Sequence, residues 1–255
     1  MELFDTHAHL DFPDYAEDFE EVLYRCRENQ VVYVVNVGID IDTSRKSVSM
    51  ARNNSGIYAS VGVHPHDVDG FDERHLRALH LLAADEKVVA LGEIGLDYYR
   101  DLTPREKQKN AFRRQIALAR ELGLPVIIHN RDAHKDVLQI IQEENVRDTG
   151  GIMHCFSGDW AMAKKCLDNN LLIAVGGTVT FKNAKDVQDV ARRIPLDSLL
   201  LETDSPFLSP EPRRGKRNEP GNVRLVAECV AGLKKVSVEE VAYWTTYNAI
   251  KLFKI

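Results

Sequence analysis

The sequence predicts a (β/α)8 TIM barrel with an extra helix at its C-terminal end. Three observations favour this fold class: eight short apolar runs, amphipathic segments between them, and a length of 255 residues, close to the roughly 250 that one such barrel takes. The runs are rich in Val, Ile, Leu and Ala, as expected of parallel strands covered on both faces. We predict strands over Leu3–His9, Val31–Gly38, Ile57–Val63, Val88–Ile94, Pro125–His129, Gly151–His154, Leu171–Gly176 and Leu199–Asp204.

The segments between these runs carry helix signals. Apolar residues within Phe19–Cys26 follow the spacing of one buried helical face. The range Thr103–Glu106 predicts an N-cap threonine, a proline at the first helical position and a capping-box glutamate. We expect that helix to end near Leu122, before Gly123. The tail Ser237–Phe253 predicts a final helix after the eighth strand.

The organisation of the chain favours a single domain over residues 1–255. No low-complexity segment or linker interrupts the alternation, and the only shift in composition is Ser209–Gly221, a Pro-, Arg- and Gly-rich stretch that predicts a long loop after strand eight. The alternation of strands and helices alone determines neither the number of strands in the sheet nor whether the sheet closes into a barrel. Two smaller domains, or a doubly wound open sheet, therefore stay open at this point.

Composition and charge exclude several classes of protein. The formal net charge of −6 opposes a general attraction to nucleic acid or anionic membrane, so that any phosphate binding must be local. No stretch approaches the roughly 20 apolar residues of a membrane span, and the N-terminus lacks the features of a signal peptide. The four cysteines form no C-x-x-C pair. We therefore expect a reduced, cytoplasmic protein, with a monomer as the default.

Two histidines, His7 and His9, lie two residues apart at the end of the first predicted strand. Side chains at positions i and i+2 of a strand point to the same face, so both imidazoles are expected to enter the barrel interior together. By itself this pair is a weak signal, because a core histidine that bonds to the backbone is the more common case.

Four further polar residues end otherwise apolar runs: Glu93, His129, His154 and Asp204. The carboxyl ends of barrel strands converge on one face, where active sites of this fold lie. Burying several imidazoles and carboxylates together without counter-charge is expensive, and divalent cations offset that cost because these groups are their natural ligands. The set of strand ends therefore predicts a metal site.

The same residues lie in motifs that resemble the TatD family of metal-dependent deoxyribonucleases, within the wider amidohydrolase-like group of TIM-barrel hydrolases. The resemblance covers essentially the whole chain, with every motif in order. The matching motifs are Phe4–Leu10, Gly62–His66, Gly92–Tyr98, His129–Arg131, His154–Gly158, Leu201–Pro206 and Arg214–Pro220.

The resemblance implies how the ligands are shared. One cation would be held by His7, His9 and Asp204, and a second by His129 and His154, with a sixth ligand, Glu93, bridging the two. Mg²⁺ is the physiological ion that the resemblance implies, although so many imidazole nitrogens also suit Zn, Mn, Ni or Co. No organic cofactor is expected.

The resemblance also implies hydrolysis of DNA, with a part in DNA repair or breakdown. A cation pair supplies the Lewis acidity that phosphodiester cleavage requires. Asp204 would be both a ligand and the acceptor of a proton from the attacking water, with Glu93 as the second catalytic residue. We expect 3′-to-5′ digestion of single-stranded ends. An amidohydrolase-like enzyme for a small amide, ester or phosphoester stays open, as does a metal-binding protein without turnover.

Substrate phosphates require cations near the metal site, and TIM barrels often bind phosphate near strands seven and eight. The basic residues of the loop after strand eight are therefore candidates for phosphate contacts. Such a run of charges is, however, more often simply exposed to solvent without a binding role. Asp5 and Glu202 are either carboxylates that fix a histidine tautomer or simply buried acids. The predicted substrate contacts are His66, Arg131, Arg213, Arg214, Lys216 and Arg217.

Overall fold

The computed structural model describes residues 1–255 and contains one sheet of eight strands. Each strand pairs in parallel with the next strand along the chain, in the order β1 to β8. This confirms the predicted TIM barrel. The strands are β1 Leu3–Ala8, β2 Val31–Val37, β3 Ile57–Val61, β4 Val88–Asp97, β5 Val126–Arg131, β6 Gly151–Met153, β7 Leu171–Val175 and β8 Leu199–Leu201.

The barrel closes between β1 and the segment that follows β8. The backbone N–H of Asp204 donates to the carbonyl of His7 at 2.9 Å, and the N–H of His9 donates to the carbonyl of Ser205 at 2.8 Å. The first bond joins two predicted ligands, and the second joins the predicted ligand His9 to the residue that follows Asp204. Closure of the barrel and assembly of the site therefore depend on the same backbone contacts.

Nine helices surround the sheet, and one of them is additional to the eight-fold repeat. Helix α9 begins after Ser237, whose side chain accepts the N–H of Glu240, as the predicted final helix requires. No helix is both long enough and apolar enough to cross a membrane. The helices are α1 Phe19–Glu28, α2 Ile41–Asn53, α3 Glu73–Leu82, α4 Arg105–Leu122, α5 His134–Glu143, α6 Trp160–Asp168, α7 Lys185–Arg193, α8 Val223–Lys234 and α9 Val238–Phe253.

The apolar core has two parts. The larger cluster has 54 buried residues and lies mainly between the strands and the surrounding helices. The smaller one has 11 and draws on seven strands, so its members can meet only inside the barrel. Helix α9 adds Ala249 and Phe253 to this inner cluster, and the Phe253 ring lies 5.8 Å from that of Phe4. The extra helix therefore covers the amino ends of the strands, and the carboxyl ends stay accessible.

All eight strands end at positions other than those predicted, and the differences are largest, at three residues, for β4 and β8. Strand β4 continues past Ile94 because Gly95–Asp97 pairs with His129–Arg131 on β5. Glu93 thus lies inside β4 rather than at its end. Strand β8 stops at Leu201, before Asp204, whose φ of 55° lies in the left-handed region and breaks the extended conformation.

The start of helix α4 also differs from the prediction. Pro104 is the N-cap residue, and no side chain caps the helix. The hydroxyl of Thr103 instead donates to the carbonyl of His66 at 2.9 Å, so it ties this loop to the loop after β3. The end of the helix agrees with the prediction, because Gly123 adopts the left-handed conformation of a C-cap with φ 66°.

Candidate metal centre

The structure brings the six predicted ligands together at the carboxyl ends of the strands. Six pairs among these residues have nitrogen or oxygen atoms within 3.7 Å of each other, and every one of the six residues belongs to at least one such pair. The side chains are buried or nearly so, and the most accessible, Asp204 and His129, are each 16% exposed. A nearly dry cluster of ligand-type groups thus lies where the fold predicts an active site.

The first group of donors surrounds a common point. His9 Nδ1 faces the carbonyl of Val37 at 2.9 Å and so carries the proton, which leaves the Nε2 lone pair facing the cluster. His7 Nε2 and His9 Nε2 lie 3.3 Å apart, and each is 3.7 Å from Asp204 Oδ1. Glu93 Oε2 lies 3.5 and 3.8 Å from the two nitrogens. A tetrahedral cation with ligand bonds of about 2.0–2.1 Å separates its ligands by about 3.4 Å, so the donor set fits one cation.

The other oxygen of Glu93 faces a second group. Glu93 Oε1 lies 2.8 Å from His129 Nδ1, 3.2 Å from His154 Nε2 and 3.7 Å from His64 Nε2. The two oxygens of one carboxylate therefore point to two different sets of imidazoles. This is the arrangement expected of a residue that links two cations.

Two of the three histidines in the second group, His129 and His154, have an outer nitrogen that faces a carboxylate. His129 Nε2 lies 3.1 Å from Asp97 Oδ2, and His154 Nδ1 lies 3.3 Å from Glu202 Oε1. Carboxylates in this position fix the tautomer and the orientation of a ligating imidazole. Glu202 also accepts the backbone N–H of Cys155 at 2.6 Å. Of the two roles considered for Glu202, the structure favours that of fixing a histidine.

Two residues of this network were missed by the sequence analysis. Asp97 shares the parity of Glu93 along β4, but the predicted strand stopped at Ile94, so the signal was overlooked. His64 follows β3 and forms one of the close donor groups with Glu93 and His129. It lies in the motif Gly62–His66, which was not predicted to contribute to the metal site.

The electrostatics of the cluster show charged groups that stabilise one another. Burial alone would raise the pKa of Glu93, but the His154 and His64 imidazoles outweigh it and hold this pKa well below its usual range. Burial alone would lower the pKa of His154, but the Glu202 and Glu93 carboxylates outweigh it and hold that pKa well above its usual value. Ionised carboxylates thus lie against imidazoles that carry protons in the metal-free protein. A cation binds the deprotonated imidazole, so metal binding is expected to release protons.

Asp5 has a different role from Glu202. Its carboxylate accepts the backbone N–H groups of His7 and Thr203, at 3.2 and 2.8 Å, and the Thr203 hydroxyl at 2.5 Å. It contacts no imidazole ring, and burial raises its pKa well above the usual value. Asp5 is therefore the buried, hydrogen-bonded acid of the two alternatives, and it fastens β1 to the segment that carries Asp204.

Gly95 allows β4 and β5 to approach closely beside Glu93. Its φ is 146°, and a Cβ atom there would lie 2.0 Å from the carbonyl oxygen of His129. Any side chain at this position must push β5 away and shift His129 relative to Glu93. We expect Gly95→Ala to weaken metal binding before it unfolds the barrel. Metal titration and thermal unfolding of the same samples measure both, and unchanged metal affinity would contradict this interpretation.

The predicted phosphate contacts have different surroundings. Arg213, Arg214 and Lys216 are exposed on the loop after β8, and the Arg214 guanidinium lies 4.3 Å from the centre of the Phe181 ring. Arg217 is engaged elsewhere, as described below. These geometries do not test a role in substrate binding, which stays a prediction for all four residues.

The two other predicted contacts flank Asp97. The Arg131 guanidinium lies 4.0 Å from the centre of the Tyr99 ring, and both residues are exposed. His66 Nε2 lies 3.0 Å from Asp97 Oδ2, and its side chain is 26% exposed. His66 therefore borders the second donor group on its solvent side, and Arg131 is the register partner of Asp97 across β4 and β5.

Arg217 anchors the loop rather than pointing freely to solvent. Its guanidinium donates two bonds to the Asp18 carboxylate, at 2.7 and 2.6 Å, and another to the Asp14 carbonyl. The Arg25 guanidinium also donates to Asp18, at 3.0 Å. These contacts favour a structural role for Arg217, with a substrate role only if the Asp18 pair opens.

This ion pair predicts a pH-dependent stability. The Arg217 and Arg25 contacts lower the pKa of Asp18 to about 2. Because the folded pKa is depressed, the stabilisation is complete above the unfolded value of about 3.9 and is lost as pH falls towards 2. We expect Asp18→Asn to lower the free energy of unfolding by about 1 kcal/mol at neutral pH. Urea unfolding of both proteins from pH 7 down to pH 3 measures it, and a difference that grows on acidification would contradict the assignment.

Comparison with known proteins identifies the family. The model of the family described as TatD related DNase matches residues 4–254. An uncharacterized metal-dependent hydrolase of Bacillus subtilis, YabD, is 50% identical over 253 residues, which is 99% of each chain. A Klebsiella pneumoniae protein named 3′-5′ ssDNA/RNA exonuclease TatD is 33% identical, with 99% of this chain and 98% of that protein covered.

A solved structure also matches this chain over almost its full length. The TatD homologue YjjV of Escherichia coli superimposes with a TM-score of 0.94 at 31% identity, covering 99% of this chain and 98% of the other. Because one family model covers almost the entire chain and the relatives match it from end to end, this protein belongs to the TatD family of metal-dependent hydrolases.

Proposed function

We propose that this protein is a 3′-to-5′ exonuclease that hydrolyses phosphodiester bonds at single-stranded DNA ends with the help of two divalent cations. The observation that carries the proposal is the position of Glu93, whose two oxygens face two separate groups of donors. Paired cations are characteristic of enzymes that cleave phosphodiesters. The proposed substrate class is supported by the name of one relative, an ssDNA/RNA exonuclease.

In this proposal the ligands divide as the distances group them. His7, His9 and Asp204 would hold one cation, His129 and His154 would hold the other, and Glu93 would be a ligand of both. When bound, the cations supply Lewis acidity and lower the pKa of coordinated water. We propose Mg²⁺ as the physiological ion. The imidazole nitrogens also suit Zn, Mn, Ni or Co, so one of these is expected to occupy the site when it is supplied.

The residues of the chain itself handle the proton and the substrate. Asp204 is the group that would accept the proton of the attacking water, because its side chain is partly accessible and ionised. Burial alone would raise its pKa, but the contact with His9 and the neighbouring imidazoles lower it, so the carboxylate carries no proton before the reaction. Asp97 and Glu202 hold the His129 and His154 rings in place. The exposed cations Arg131, Arg213, Arg214 and Lys216, together with His66, contact phosphates on a protein whose net charge is otherwise negative.

A labelled oligonucleotide tests the proposal directly. Single-stranded DNA with a 5′ label is incubated with wild type in Mg²⁺ or Mn²⁺, with a chelator as control. A ladder that shortens from the 3′ end, requires metal and disappears in Glu93→Ala and Asp204→Ala is the expected result. Asp189→Ala removes an exposed carboxylate on α7 and is expected to retain activity.

Other outcomes would change the assignment. Equal or faster cutting of closed circular duplex would contradict an exonuclease of free ends. No cutting of DNA or RNA by folded, metal-loaded protein would contradict the nuclease proposal. An amide, ester or small phosphoester would then be the expected substrate class, because the same donor set serves those reactions.

A further inference from the structure

Phe207 is a large aromatic residue that is exposed beside the metal centre. The residue is 51% exposed although it lies only three positions after Asp204. The ring of Phe12 stacks on His9 with centroids 4.9 Å apart, and the Phe207 ring stands edge-on to Phe12 at 6.0 Å. The Phe207 centroid is 6.4 Å from that of the His9 ring. Phe207 thus presents an apolar surface at the edge of the donor cluster.

The backbone that carries this ring is held firmly. The N–H of Phe207 donates to the carbonyl of Asp204 at 2.9 Å, and its own carbonyl accepts the Asn218 amide at 2.7 Å. Asn218 is fully buried, and the same amide donates to the Thr203 carbonyl at 2.9 Å. A buried polar side chain therefore fixes the position of an exposed apolar one. Single exposed aromatics are ordinary on protein surfaces, but one fixed in place next to a metal cluster suggests a binding role.

We propose that the Phe207 ring stacks on an unpaired nucleobase next to the phosphodiester bond that is cut. This inference rests on the proposed nuclease function. A base has an apolar face that matches an exposed ring, and such stacking is sequence-tolerant and needs a strand that is not paired. The same loop carries Arg213, Arg214 and Lys216, so one segment offers an apolar surface to the base and cations to the phosphates.

Substrates that lack a base separate stacking from phosphate binding. One oligonucleotide is compared with versions that carry an abasic tetrahydrofuran residue at the terminal or at the penultimate 3′ position. For wild type we expect kcat/KM to fall about tenfold for one of the two abasic versions, the scale of one lost stacking contact.

Phe207→Ala is expected to lower kcat/KM on the complete oligonucleotide by about tenfold, mainly through KM, and to leave the rate on that abasic version within about twofold of wild type. Phe207→Tyr keeps the ring and is expected to restore the preference for a base. The matched control is Tyr243→Ala, which removes a 63% exposed ring from α9. That helix contacts the amino end of β1, where Thr246 donates to the Glu2 carbonyl, and so lies at the end of the barrel opposite the metal centre. Loss of the Tyr243 ring is therefore expected to change neither rate.

Metal titration of Phe207→Ala shows whether the donor group that contains His9 still binds a cation. We expect the same metal affinity as for wild type. Equal loss on complete and abasic substrates, or no loss on either, would overturn the stacking proposal and leave the nuclease assignment intact. If metal-loaded wild type cuts no oligonucleotide at all, both proposals fail together.

Discussion

Glutamine in place of Glu93 is expected to give a folded barrel that binds fewer divalent cations and hydrolyses its substrate about 1000-fold or more slowly. The side chain keeps its shape but loses the charge that faces both donor groups. Its amide also places a donor against either His7 or His129, where the structure has an acceptor within 3.5 Å and 2.8 Å respectively. Neither cation then keeps its full set of ligands.

Metal content and activity of the same preparation measure this effect. Elemental analysis after dialysis against buffered metal gives the stoichiometry, and oligonucleotide hydrolysis gives the rate. Glu106→Gln, at an 87% exposed position on α4, is the matched control and is expected to match wild type in both. A Glu93→Gln protein that binds two cations with wild-type affinity would show that Glu93 does not link them.

The sequence was sufficient to predict the fold because parallel barrel strands are buried on both faces. Runs such as Val126–Ile128 and Leu199–Leu201 are apolar throughout, and the polar residues that follow them stand out. That contrast located His129 and Asp204. It failed for Asp97, because β4 continues for three residues beyond the predicted end at Ile94 and its last polar residue is part of the strand.

The surroundings of charged side chains were less predictable than the elements that carry them. Arg217 lies in a basic loop, and its partner Asp18 is distant along the chain, just before α1. Composition shows a run of positive charge but not which acidic residue folds against it. The same limitation applied to Asp5 and Glu202, which are both carboxylic acids and each stand two residues before a predicted metal ligand, His7 and Asp204 respectively. Only the structure shows that Glu202 contacts an imidazole and Asp5 contacts backbone.

The position of Asp5 predicts a large loss of stability when its carboxylate is removed. In Asp5→Ala the N–H groups of His7 and Thr203 and the Thr203 hydroxyl lose their acceptor inside the protein, and Asp5 itself is fully buried. Each unsatisfied buried group costs about 1–3 kcal/mol. We expect the free energy of unfolding to fall by about 3–5 kcal/mol, measured by urea denaturation of the metal-free protein.

Asp5→Asn is the control that separates hydrogen bonding from charge. Asparagine keeps one oxygen acceptor, and its amide is able to donate to the Thr203 hydroxyl, so the expected loss is below about 1.5 kcal/mol. The two variants should also differ in metal affinity. Asp5 joins β1 to the segment after β8, and opening that junction separates His7 from Asp204. If Asp5→Ala were as stable as Asp5→Asn, the backbone bonds between these segments alone would be sufficient to close the barrel.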